Sequence, residues 1–62
     1  MPKKYVGNLY QNREHGGIYI VVDYYPHPYN AGSVDLESVD SPDTIRYNTT
    51  IDQLKEHFKK VG

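Results

Sequence analysis

Ile18-Tyr19-Ile20-Val21-Val22-Asp23-Tyr24-Tyr25 is the stretch that decides how this chain folds. Every position but Asp23 is β-branched or aromatic, the residue types that fit a pleated, half-buried surface. Strict alternation would place Ile18, Ile20, Val22 and Tyr24 on one face and Tyr19, Val21, Asp23 and Tyr25 on the other. A strand apolar on both faces belongs in the middle of a sheet, so neighbours are expected on each side. Gly16-Gly17 precedes the run, and Pro26 and Pro28, which cannot donate to a ladder, end it.

Upstream, Asn12-Arg13-Glu14-His15-Gly16-Gly17 has the composition of a hairpin connection closed by a bulge or a short loop, with glycines supplying positive φ. It implies a strand over about Lys4 to Gln11, where Val6, Leu9 and Tyr10 alternate imperfectly and Gly7 marks a bulge. Downstream, Pro26 to Gly32 reads as a surface loop. Ser33 to Val39 then alternates cleanly, with Val34 and Leu36 inward and Asp35 and Glu37 outward. Asp40-Ser41-Pro42-Asp43 suits a tight turn, and Thr44 to Asn48 completes a second hairpin. From Thr50 the period changes: Ile51, Leu54, Phe58 and Val61 form one stripe of a helix predicted over Thr50 to Lys60. Thr50 and Gln53 make a capping box, Asp52 lies in the first turn, Lys59 and Lys60 lie in the last, and Gly62 is placed to end it. The expected fold is α+β: a small four-stranded antiparallel curved sheet, ordered as two hairpins, under one C-terminal helix. Its expected core is Val6, Leu9, Ile18, Ile20, Val22, Val34, Leu36, Ile45, Leu54 and Phe58.

With 62 residues the chain has room for one small domain, and a domain of that size buries only about 60% of the surface its unfolded chain exposes. No tryptophan, one phenylalanine and seven tyrosines are present, so part of the core's aromatic volume must come from tyrosine. The absence of cysteine excludes a disulfide scaffold and a thiolate zinc site. No run resembles a signal peptide or a membrane span, which predicts a soluble cytoplasmic protein, monomeric or weakly dimeric. Seven basic and eight acidic residues give a net charge of −1, too little to draw the whole chain to nucleic acid or to an anionic membrane.

Gly16-Gly17-Ile18-Tyr19-Ile20-Val21 is similar to the Gly-x-Tyr-x-Val strand of small SH3-like barrel proteins of bacteria and bacteriophages. The order of strands and a closing helix, with Phe58 near the end, resembles them too. The resemblance implies an SH3-like barrel that acts as a binding module and carries no catalytic residue. It also suggests a setting, a phage-encoded regulator or inhibitor of a host protein.

Nothing in the residues points to an enzyme. His15, His27 and His57 have no metal-ligand spacing, and Ser33, Ser38 and Ser41 have no histidine nearby in sequence to activate them. No cofactor is expected. The tyrosines are the better clue, because four of the seven lie between Tyr19 and Tyr29. Tyrosine joins a flat apolar ring to a polar tip at low entropic cost, which suits a contact surface. Tyr19 and Tyr47 are expected to pack within the sheet. Tyr24, Tyr25, His27 and Tyr29 are the candidate contact patch for a protein partner, and Asp35 and Glu37, with Asp40 and Asp43, form an acidic flank. The alternative is single-stranded nucleic acid, with tyrosines stacking on bases and Lys3, Lys4, Arg13, Arg46 and the terminal lysines meeting phosphates.

Overall fold

The computed structural model describes residues 4–40 and 46–62. Five strands and one helix follow in the order β1 (Leu9–Asn12), β2 (Ile18–Tyr25), β3 (Ser33–Ser38), β4 (Tyr47–Thr50), α1 (Ile51–His57) and β5 (Phe58–Lys60). All pairs are antiparallel in one sheet of order β4-β3-β2-β1-β5, curled into a half-barrel. The α+β class is as expected. The sheet, however, has a fifth strand, because the predicted helix stops early.

That stop is local and specific. Thr50 caps α1 by accepting the Gln53 backbone N–H at 3.2 Å, as the capping pair predicts. Eight residues after the cap, Phe58 takes up extended backbone (φ −128°, ψ 157°) while its N–H still donates to the Leu54 carbonyl. The chain then pairs with β1, matching Tyr10 to Lys60 and Asn12 to Phe58. Without β5, the outer edge of β1 would carry a row of unpaired backbone groups. Lys59 and Lys60 therefore belong to a strand and not to a last helical turn. Gly62 does not end the helix; its carbonyl accepts the Leu9 N–H.

The core is Tyr10, Val21, Val34, Leu36, Ile51, Leu54 and Phe58, with Tyr5, Tyr19 and Tyr24 packed against it. Val34, Leu36, Leu54 and Phe58 fall where the sequence puts them. The expected face of β2 is reversed. Pairing with β3 shifts between Val21↔Leu36 and Asp23↔Asp35, leaving Val22 as an extra residue in a bulge. Tyr19, Val21 and, beyond the bulge, Tyr24 thus share the core side. Ile18, Ile20 and Val22 are only half-buried, as is Leu9, which pairs with Ile20.

Other expectations also change. Val6 is exposed, because residues 4–7 form a turn and not the start of a strand. Tyr47 does not pack within the sheet: it opens β4 and is 56% exposed. Val39 lies past the end of β3 and is exposed. The predicted fourth strand begins three residues later, at Tyr47, and runs to Thr50. Ile45, Thr44 and most of the predicted Asp40–Asp43 turn lie outside the described residues.

Glycine-led bulges shape both ends of the β1–β2 hairpin. Gly7 N–H donates to the Val21 carbonyl while Val21 N–H donates to the Asn8 carbonyl, so two residues face one. Gly16 and Gly17 face Asn12 in the same way. Gly7 (φ 94°) and Gly16 (φ 78°) hold the left-handed backbone that the first position of such a bulge requires.

Candidate binding surface

Pro26 to Gly32 joins β2 to β3 as a loop tied by side chains. At its base, Tyr24 Oη donates to the Ala31 carbonyl at 3.0 Å, and Gly32 N–H donates to Asn30 Oδ1 at 2.7 Å. At its tip, the Tyr29 N–H donates to His27 Nδ1 at 3.1 Å, and the two rings meet edge to face with centroids 5.8 Å apart. Tyr29 is left 90% exposed and Tyr25 42% exposed. Two prolines and these bonds hold the loop, so presenting Tyr29 costs little additional order on binding.

The six candidate residues do not form one patch. Tyr24 faces the core side, its ring 5.2 Å from that of Tyr5. His27 and Tyr29 stand at the loop tip. Tyr25, Asp35 and Glu37 lie on the outer face of the sheet, where Tyr25 Oη donates to Asp35 Oδ2 at 2.7 Å and Asn48 Nδ2 donates to Asp35 Oδ1 at 3.0 Å. Arg46 bridges both acids, 3.7 Å from Asp35 and 3.7 Å from Glu37. The acidic flank is therefore partly neutralised by its own strand neighbours. Asp43 lies outside the described residues.

These bonds set the ionisation of both groups. The hydrogen bond to the Asp35 carboxylate, with desolvation and the nearby Asp23 charge, pushes Tyr25 up from 10.0 to about 12. Asn48 first, and then Tyr25, hold Asp35 below its ordinary 3.8. A raised phenol favours the fold fully below pH 10.0, and that contribution is lost as pH rises through about 12. The lowered carboxyl contributes above pH 3.8, and its share is lost as pH falls through the lower folded value. Asp35→Asn should bring the ionisation of Tyr25 back toward 10.0, read as a tyrosinate absorbance titration. An unchanged midpoint would show that the bond does not set it.

A second feature appears where β1, β5, α1 and the 4–8 turn meet. A groove of about 440 Å³ is lined by Tyr5, Asn8, Tyr10, Arg13, Lys55, Phe58 and Lys60. Arg13 Nε donates to the Phe58 carbonyl at 3.2 Å, which fixes its guanidinium at one end. Lys4 Nζ lies 5.5 Å from the Tyr5 ring centroid, within cation–π reach. Tyr5 itself has φ 70°, a left-handed conformation that costs an L-residue about 1–2 kcal/mol. Arg13 and the lysines are visible in the sequence only as scattered cations. Their convergence depends on the β1–β5 pairing, which helical periodicity in residues 50–60 conceals.

Among the described residues, no helix is long and apolar enough to cross a membrane. Compared with protein-family models, curated proteins and solved structures, the chain shows no significant match in any of the three.

Proposed function

We propose that this chain is a non-enzymatic protein-interaction module of SH3-like build, with the loop from Pro26 to Gly32 as its contact surface. The observation that carries the reading is the Tyr29 ring, 90% exposed at the tip of a loop tied down on both sides. A large amphipathic ring on a stiff support is a good anchor for a partner's pocket. His27 backs it from one side. Tyr25, with Asp35 and Glu37, flanks it on the outer face, and Tyr24 fixes the loop's base. The curled antiparallel sheet supports the SH3-like reading. We place the module in the cytoplasm, as a phage-encoded regulator or inhibitor of a host protein.

Tyr29→Ala tests this directly. In a thermal melt its stability should change by no more than an ordinary surface substitution allows, about 0.5 kcal/mol. Immobilised parent protein should retain a partner from host lysate that the variant does not retain. Identical retention by both proteins would remove the loop tip from the contact surface.

A further inference from the structure

We propose that the groove between the 4–8 turn, α1 and β5 binds an acidic, extended peptide segment of the protein partner. The inference rests on the protein-partner reading above and adds the chemistry that the partner must present. Arg13, Lys55 and Lys60 line the groove with no carboxylate among them. None of the three is ion-paired with a described residue, whereas Arg46 on the outer face is engaged by both Asp35 and Glu37. The neighbouring cleft behaves differently, because Glu14 and Glu56 share it with Arg13. In a chain of net charge −1, the groove is thus a local cationic lining waiting for an anion.

Its floor argues for a peptide over a nucleic acid. Base stacking needs open ring faces, yet Tyr10 is 6% and Phe58 5% exposed. The third ring, Tyr5, is occupied on its sides by Tyr24 and Lys4. What the groove offers is a largely closed aromatic floor under separate positive charges. A strand of alternating acidic and aliphatic side chains fits that pattern, with carboxylates meeting the cations and the aliphatic groups covering the floor. The groove also communicates with the loop. Tyr5 packs on Tyr24, and Tyr24 bonds to Ala31, so the groove and the base of the loop share one support.

The test uses a short fluorescein-labelled peptide alternating glutamate with leucine, the same peptide with glutamine for glutamate, and an oligothymidine strand, each titrated by fluorescence anisotropy. The glutamate peptide should bind in a salt-sensitive manner, and the glutamine peptide should bind roughly tenfold more weakly, the loss expected from several exposed charge pairs acting together. Lys55→Glu/Lys60→Glu should abolish binding while the far-ultraviolet circular dichroism stays unchanged, since both side chains are exposed. Tyr29→Ala should leave peptide binding intact, which separates this proposal from the loop reading. Equal binding of the two peptides, no binding of either, or tighter binding of the oligothymidine would each overturn it.

Discussion

Phe58→Ala should remove a large share of the chain's stability. Phe58 is 5% exposed and packs edge to face on Tyr19, with ring centroids 5.6 Å apart, at the point where helix becomes strand. Truncating a buried phenylalanine costs about 3–5 kcal/mol. A chain of this length has roughly 3–9 kcal/mol in total at the usual yield per residue. The same ring supports both the last contact of α1 and the first pair of β5, so its loss loosens the two together. In a thermal melt the midpoint should fall by about 12–40 °C, at about 4–8 °C per kcal/mol for a domain of this size. Val61→Ala, at an exposed position in the same segment, should move it little. A drop no larger than that of Val61→Ala would mean that Phe58 is not a core residue. Hydrogen exchange gives an independent check, since pairing with β1 should protect the Val61 amide, which donates to the Leu9 carbonyl at 2.9 Å.

Gly32→Ala is expected to be nearly as damaging, for a different reason. Gly32 has φ 92°, and a methyl group there would run into the Tyr25 carbonyl oxygen. It would also come within 3.1 Å of the Tyr24 ring and 3.2 Å of Pro26 Cα. Two of these neighbours are backbone and cannot rotate away. Conformational strain of about 1–2 kcal/mol adds to an overpacking cost of about 1–3 kcal/mol. The damage extends past the loop, because the Gly32 carbonyl accepts the Ile51 N–H at 2.9 Å and so helps to start α1. Gly7→Ala is the informative control: φ is 94°, but nothing lies within 4 Å of the added carbon. Urea denaturation of the pair should show Gly32→Ala losing clearly more than Gly7→Ala. Equal losses would leave backbone conformation as the whole effect.

Much of the fold can be read from local chemistry. The bounds of β2 follow from Gly16-Gly17 and Pro26, the start of β3 from the alternation after Gly32, and the start of α1 from Thr50 and Gln53. What could not be read was decided by pairing at a distance. Val22 has nothing in its side chain that marks a bulge, yet the shift there changes which residues of β2 enter the core. Phe58, Lys59 and Lys60 suit the end of a helix by period and charge, but β1 gains more from them as a strand. On the candidate surface, Tyr29 was legible because prolines stiffen its loop. The pairing of Tyr25 with Asp35 was not, because the two are ten residues apart and meet only diagonally, Tyr25 standing opposite Ser33.

Sheet order places the most adhesive segment where other molecules cannot reach its backbone. Ile18 to Val22 has the composition of a fibril-forming segment, β-branched or aromatic, uncharged and free of proline, and it lies between β1 and β3. The outermost strands, β4 and β5, are only four and three residues long and carry Asn48, Thr50, Lys59 and Lys60. Short, polar or cationic rims are poor templates for a second sheet. Clumping therefore requires the molecule to open first, and its shelf life in concentrated solution should track its global unfolding and not the stickiness of its surface.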